Sequence, residues 1–375
     1  MLDSLAVDRG FLAENDAQIL DLEIQIVALE QSISALRAAR QPVQERLDSY
    51  KYPVLTLPNE IITEIFVHFL PTYPQPPPLV GTLSPTCLTQ ICSTWRAIAL
   101  ATPRLWRAID LTDQSDEQPG MEATLALARL WSARSGSYPL SIDLADDYDE
   151  HYILPIVLPH RDRLEHLTFN LDGTELLSII QGSFPLLRNL SIRFSCGVSG
   201  AETVTLQNLP LLRTAVLDDW LDPHAMLPWS QLTSLTLRFL TTVHCREILR
   251  QASHLIRCNL YFAGDMIPNE QNQDQDLHIE LLRLETLTFE PQSRCDGDFF
   301  RCLVTPALLS LQLSEPSLGL ANESDSFVVD SLASFISKSG CQLRELKVTN
   351  THVNENVYRE AFPSIPIISV DEERS

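Results

Sequence analysis

Apolar positions follow three rhythms along this chain, and each rhythm predicts a different element. From Leu12 to about Leu47 they alternate three- and four-residue steps through Ile19, Leu22, Ile26, Leu29, Ile33 and Leu36. A seven-residue repeat of that kind keeps one seam of a helix apolar, which is coiled-coil spacing. Between Leu57 and Leu111 the steps stay helical, but Ile61, Ile62, Ile65, Phe66, Phe69 and Leu70 cover more than the stripe one buried face requires. Two partners are implied for that helix. From about Leu164 onward the pattern changes to the two-residue alternation of strands, in a recurring Leu-x-x-Leu-x-Leu form.

The first rhythm places Ile19, Ile26 and Ile33 at a positions and Leu22, Leu29 and Leu36 at d positions. Isoleucine at a with leucine at d favours two parallel strands. A homodimer through residues 12–40 is one expectation, and a long helix folded back on its own chain is the other. Gln25 and Ser32 flank the seam opposite Glu23, Glu30 and Arg37, so ionic matching between copies is weak. Pro42 is expected to interrupt the helix, because proline removes a backbone donor and crowds the preceding turn.

In the second stretch Pro58 sits at a first helical position and Glu60 in the first turn, where a carboxylate favours the helix dipole. Ser84 and Pro85 give a second cap and first turn, followed by Leu88, Ile91, Cys92, Trp95, Ile98 and Ala99 on one face of a single helix. A short turn, Thr102 to Trp106, then brings a second tryptophan against the pair before Ile109 and Leu111. Roughly fifty residues cannot bury all these side chains alone, so some apolar surface is left for a partner.

Read in order, these residues resemble the F-box. Leu57 and Pro58 open it, Glu60, Ile61 and Ile62 give the acidic-aliphatic run, and Ile65 with Phe66 continue it. A Cys-x-x-Trp-Arg core (Cys92, Trp95, Arg96) and a Pro-x-Leu-Trp close (Pro103, Leu105, Trp106) complete the series. The resemblance implies a three-helix module that binds the Skp-type adaptor of a cullin-based ubiquitin ligase. Its contacts would fall among Leu57, Pro58, Ile61, Ile62, Ile65, Phe66, Leu88, Ile91, Cys92, Trp95, Leu105 and Trp106. One departure is the long proline-rich connection Pro71 to Pro78 after the first helix.

Past a polar, turn-rich stretch at Asp113 to Gly120, a helix is expected with Leu125, Ala128, Leu130 and Trp131 inward and Gly136 as its stop, then a strand Leu140–Leu144. The strand pattern then recurs at Leu164-Leu167-Phe169, Leu187-Leu190-Ile192, Leu212-Ala215-Leu217, Leu232-Leu235-Leu237, Leu255-Cys258-Leu260, Leu284-Leu287-Phe289, Leu308-Leu311-Leu313 and Leu343-Leu346-Val348. Most starts lie 20 to 29 residues apart, and the longer last interval holds a helix-like Phe327–Ile336 segment. This spacing resembles an irregular leucine-rich repeat. The usual asparagine slot is occupied instead by Asp172, Ser195, Trp220, Leu240, Ala263, Gln292, Pro316 and Thr351.

Strand alternation sends the three anchors of each repeat inward and their neighbours outward. The outward set is His166, Thr168, Asn170, Asn189, Ser191, Arg193, Val216, Asp218, Thr236, Arg238, Asn259, Tyr261, Thr288, Glu290, Gln312 and Lys347. A solenoid presents such residues on one shared face. Arg193, Arg238 and Tyr261 are the expected anchors for a target protein, since arginine and tyrosine dominate interface hot spots, with Asn189, Asn259 and Glu290 beside them.

Composition narrows the chemistry. The 375 residues carry a formal charge of −22, which argues against general nucleic-acid or anionic-membrane binding and favours a basic partner. Eight cysteines without a Cys-x-x-Cys pair point to buried free thiols in a reducing compartment. The opening MLDSLAVDRG shows no basic-plus-apolar signal, and no apolar run is long enough to span a bilayer, so a cytoplasmic or nuclear location is expected.

No phosphate loop, nucleophile elbow or His-Glu-x-x-His site occurs, and no metal or cofactor is expected. Gly197–Ala201 misses the nucleophile-elbow form by its last residue and reads as a turn; Asp146, Asp147, Asp149, Glu150 and His151 read as a solvated acidic loop, and Asn269–Asp276 as an exposed insertion. The expectation is an α/β chain of a coiled-coil helix (1–50), an F-box-like module (51–112) and a leucine-rich-repeat-like solenoid (113–375). It is expected to act without catalysis, as a substrate-recognition subunit of a Skp-cullin-F-box type ligase or as an adaptor-binding scaffold.

Overall fold

The computed structural model describes residues 2–49, 53–112, 120–144, 155–171, 182–194, 208–218, 227–240, 242–262, 278–290, 298–315, 325–351 and 353–372. These residues form a mixed α/β chain with a long N-terminal helix and a large parallel sheet. The chain divides into two compact units, Met1–Ile62 and Thr63–Ser375, with the boundary inside the helix Asn59–Phe69. Among the described residues no helix is long and apolar enough to cross a membrane.

In the first unit, α1 runs from Leu2 to Ser49 without a break. The expected interruption at Pro42 does not occur. Proline costs one backbone bond, and side-chain pairs Gln41–Glu45 (3.0 Å) and Gln44–Asp48 (2.9 Å) bridge the turns around it. The a and d residues are uncovered in the single chain, from 47% exposed at Ile33 to 68% at Leu36. Leu20, Ile24 and Val27, off that seam, are exposed as well.

Helix α2 spans Asn59–Phe69, and the Pro58 carbonyl accepts from the amides of Ile61 and Ile62 at its start. In the second unit, Ser84 caps the next helix as its sequence foretold, accepting from the Thr86 amide (3.2 Å). The single helix expected from Ser84 onward is instead two, α3 (Pro85–Ile91) and α4 (Ser93–Leu100). Cys92 between them is extended (φ −157°, ψ 170°), and its sulfur caps α4 by accepting from the Trp95 amide at 3.4 Å. The apolar spacing persists across the break, which is why the sequence reads as one helix.

A 3-10 turn, Pro103–Trp106, leads into β1 (Ala108–Leu111). Helix α5 (Met121–Arg134) buries Leu125, Ala128 and Trp131 as expected, whereas Leu130 is exposed on the opposite side. Trp131 meets Trp106 edge to face (centroids 5.5 Å apart). Gly136 turns the chain at φ +59°, a conformation that L side chains resist. Arg163 closes the carbonyl end of α5, donating to Ser132 O (2.6 Å), Ser135 Oγ (2.8 Å) and Tyr138 O (3.1 Å), where a cation also suits the dipole.

Strands β2 (Leu140–Leu144), β3 (Leu164–Leu171), β4 (Asn189–Phe194), β5 (Thr214–Asp218), β6 (Ser234–Arg238) and β7 (Arg257–Tyr261) follow. Helix α6 (Thr242–Gln251) lies between β6 and β7, and after β7 come β8 (Ile279–Glu280), β9 (Thr286–Phe289), α7 (Asp298–Cys302), β10 (Leu303–Val304) and β11 (Ser310–Ser314). Helix α8 (Asp325–Ser339), β12 (Glu345–Thr351), α9 (Glu355–Ala361) and β13 (Ile367–Glu372) complete the order. Among the described residues eleven strands make one open parallel sheet in chain order, and β8 with β10 form a separate parallel pair. The sheet begins at β1, within the stretch that carries the F-box-like residues.

Register explains why the leucine spacing works. Ile109, Ile142, Leu167, Leu190, Ala215, Leu235, Cys258, Leu287, Leu311, Leu346 and Ile368 are successive partners across the sheet, and all are buried. A one-residue slip in any strand would turn its anchors to the other face, so the pattern specifies the pairing. Behind the strands, Phe289 packs with Phe262, Phe299 and Phe300, and Phe300 reaches Phe335 of α8 (centroids 4.1 Å apart).

Candidate functional site

Two surfaces hold the residues singled out from sequence. In the helical region, Ile62, Phe66, Leu88, Leu105 and Trp106 are buried. Phe66 meets Trp95 edge to face (4.9 Å), and the Trp106 indole donates to Ala99 O (3.0 Å), which fastens the tryptophan to the end of α4. Cys92 and Trp95 are half-buried. Of these seven, the six that belong to the second unit, Phe66, Leu88, Cys92, Trp95, Leu105 and Trp106, build its helical packing. Those left at the surface are Leu57, Pro58 and Ile61 in the first unit and Ile65 and Ile91 in the second, with Ile65 46% and Ile91 58% exposed. Phe69, one turn beyond Ile65, is exposed too. Arg96 is spent within the fold, donating to Thr89 O (2.7 Å), and Arg104 pairs with Glu64 (2.9 Å).

The second surface is the polar face of the sheet. Alternation places it opposite the buried ladder, and register aligns it into rows. One row runs Ser141, His166, Asn189, Thr214 and Ser234; the next runs Asp110, Asp143, Thr168, Ser191, Val216, Thr236, Asn259, Thr288, Gln312 and Lys347. A third joins Arg193, Asp218, Arg238 and Tyr261.

The third row brings three of the expected anchors together around a residue that sequence ranked lower. Asp218 is 4% exposed; its Oδ2 accepts from Arg193 Nε at 2.9 Å and lies 4.0 Å from Arg238 Nη1. The Arg238 guanidinium stands over the Tyr261 ring, 5.2 Å from its centroid. Both arginines are about half exposed, so each keeps donors free for a partner while the carboxylate fixes their position. Asn259 donates to Thr236 Oγ1 (3.1 Å) and Glu290 accepts from Gln312, which orders those side chains along the same face. Lys347 pairs with Asp371 at 3.0 Å. Asn189 stands apart from the arginine cluster, at the opposite end of β4 from Arg193.

The proline-rich connection, a departure from the F-box pattern, proves to be part of this surface. Tyr73 donates its hydroxyl to Glu165 Oε2 (3.1 Å), its ring meets His166 edge to face (5.2 Å), and the Arg107 guanidinium lies 3.6 Å from its centroid. Glu165 also holds Arg188 (3.0 Å). Burial, then the charge of Glu165, raises the Tyr73 phenol above its ordinary range. So clamped, Thr72–Pro76 forms a strap over the sheet and walls a recess of about 580 Å³, floored by Ser141 and Asp143, His166 to Thr168, Asn189 to Ser191, Thr214 and Val216. Burial lowers the His166 pKa and raises that of Asp143. The alternation of Leu140–Leu144 and of the strand ending at Leu111 could have located Asp110 and Asp143 from sequence; the strap left no such signal.

Among the described residues no cluster of His, Cys, Asp and Glu could hold a metal ion. Gly197–Ala201, Asp146–His151, Asn269–Asp276, residues 113–119 and the repeat positions Asp172, Ser195, Trp220, Ala263, Gln292 and Pro316 lie outside the described residues, as does the Asn170 side chain. No protein-family model matches the chain, and no curated protein matches it.

Proposed function

We propose that the chain is a non-enzymatic substrate-recognition subunit of a Skp-cullin-F-box type ubiquitin ligase. The observation that carries this reading is the division of the F-box-like residues into two sets. Phe66, Leu88, Leu105 and Trp106 are consumed in packing, while Ile65, Phe69 and Ile91 remain at the surface with no polar duty. Exposed apolar side chains on short, firmly packed helices are the raw material of a docking face, each grossing about 1.5–3 kcal/mol when buried before association costs are subtracted.

The repeat region is read as an irregular leucine-rich solenoid that holds a target protein. Open all-parallel sheets ordinarily bury both faces. A sheet whose strands follow in chain order, buried on one side and lined with half-buried polar residues on the other, fits a solenoid with a recognition face. The mechanism is proximity: adaptor on the helices and target on the sheet raise the effective concentration of target lysines near a conjugating enzyme supplied by other subunits. The chain itself carries three lysines, Lys51, Lys338 and Lys347, so few of its own amines compete. Two copies joined through the α1 heptads would present two such surfaces.

The test is co-purification from cells of origin. Tagged wild-type chain is expected to retain Skp-type adaptor and cullin, and the Leu57→Ala/Pro58→Ala variant to lose both. Failure of the wild type to retain adaptor removes the reading. Retention of adaptor without ubiquitin transfer to any bound protein assigns the chain as an adaptor-binding scaffold instead.

A further inference from the structure

The recess beneath the strap has walls, a floor and a consistent chemistry. Its 580 Å³ lies within the range of pockets that enclose a drug-sized ligand. Among the described residues no lysine or arginine lines it, Arg107 lying against the Tyr73 ring, whereas Asp143 does, together with the Asn189 amide, the His166 imidazole and the hydroxyls of Ser141, Thr168, Ser191 and Thr214. Thr168 donates to the Asp143 carboxylate, and Asp110 is its direct neighbour on β1. Among the described residues Asp143 has Thr168 and Asp110 as its polar neighbours and no cation beside it, in contrast to Asp218, which holds two arginines. An anionic ligand would meet a carboxylate without a counter-charge. A cationic one would complete it.

We propose that this recess takes a lysine or arginine side chain of the target protein, with the cation against Asp143 and the flanking backbone under the Thr72–Pro76 strap. The proposal rests on the sheet face being a protein-recognition surface. The chain's net charge of −22 draws a basic segment toward it before contact. Acceptors on three neighbouring strands, Asp143, Thr168 and Ser191, stand in one row at the floor. They satisfy several donors of one guanidinium or ammonium, which is what a cation leaving water requires.

The experiment titrates purified full-length chain at low salt with the peptide Ac-Gly-Ser-Arg-Ser-Gly-NH2, its lysine counterpart and its citrulline counterpart, followed by calorimetry. Millimolar affinity corresponds to about 4 kcal/mol, which two charge-assisted contacts of about 1.5–3 kcal/mol each supply, so each titration runs to about 5 mM. The arginine or lysine peptide is expected to bind at least about tenfold tighter than the citrulline peptide, and Asp143→Asn to erase that difference. Glu360→Gln, on exposed α9, serves as a charge control and is expected to leave binding unchanged. Equal binding of citrulline, no saturable binding, or an unchanged preference in Asp143→Asn overturns the proposal. Free arginine binding as tightly as the peptide also overturns it, because the site would then serve a small cation. Thermal melting shows that Asp143→Asn is folded. Adaptor binding, measured separately, does not involve the recess, so loss of the ligase reading and loss of this site give different results.

Discussion

Replacing Tyr73 tests whether the strap is held as its contacts imply. Tyr73→Phe removes one hydrogen bond to a carboxylate and leaves the ring in place. Hydrogen bonds to charged groups contribute about 1.5–3 kcal/mol, and the lower end applies because Tyr73 is half-buried and Glu165 keeps its 3.0 Å pair with Arg188. Tyr73→Ala also removes the Arg107 contact, worth about 0.5–1 kcal/mol, and the His166 edge contact, worth about 0.5–1.5 kcal/mol, for a total near 2.5–4 kcal/mol. The assay is urea unfolding at neutral pH of wild type, Tyr73→Phe, Glu165→Gln and the double variant. A coupling energy of about 1–1.5 kcal/mol is expected between the two sites, and a value under about 0.3 kcal/mol, the additivity limit, would refute the clamp.

Three further outcomes follow from the same contacts. Burial holds the Asp143 carboxyl above its usual range, so its favourable contribution is complete below the unfolded carboxyl's pKa and is lost as pH rises through the folded one. Asp143→Asn is therefore expected to melt higher than wild type at neutral pH and to lose that advantage below about pH 3, as read by melting across pH. Cys258 is fully buried and its thiol is pushed up to about 12, so iodoacetamide at pH 8 should modify it only after denaturant is added, as mapped by peptide mass spectrometry. Replacing Ile26 and Ile33 by lysine puts charges into the heptad seam; sedimentation should show full-length wild type as a dimer and the variant as a monomer, and a monomeric wild type sinks the paired-helix reading.

The sheet was the legible part of the fold. The last two anchors of each Leu-x-x-Leu-x-Leu run fall within a strand, in register with those of its neighbours, and the leading leucine is buried just before the strand except at β3, which begins on Leu164; a two-residue period and a buried face leave a strand one workable register. β13 was missed since Ile367-Ile368-Ser369-Val370 lacks the leading leucine, and α6 because its sequence, TVHCREILRQ, sets its apolar residues among polar ones. Among site residues, Arg193, Arg238 and Tyr261 could be placed on one face by alternation alone. What ties them together, the buried Asp218, depends on cross-strand pairing between residues 25 and 20 positions apart, which no local pattern displays. The strap was illegible for a similar reason: Tyr73 finds Glu165 at a separation of 92 residues. Of the F-box-like set, spacing marked apolar residues correctly but could not separate Phe66, which is buried, from Ile65, which is not.

The central claim is that the helical region docks a Skp-type adaptor. Calorimetric titration of purified full-length chain with purified adaptor from the same organism tests it most directly. The account predicts saturable one-to-one binding with a negative heat-capacity change from apolar burial, and its loss in Ile65→Asp/Ile91→Asp while the thermal melt is unchanged. No binding by the wild type, or undiminished binding by that folded double variant, would contradict it.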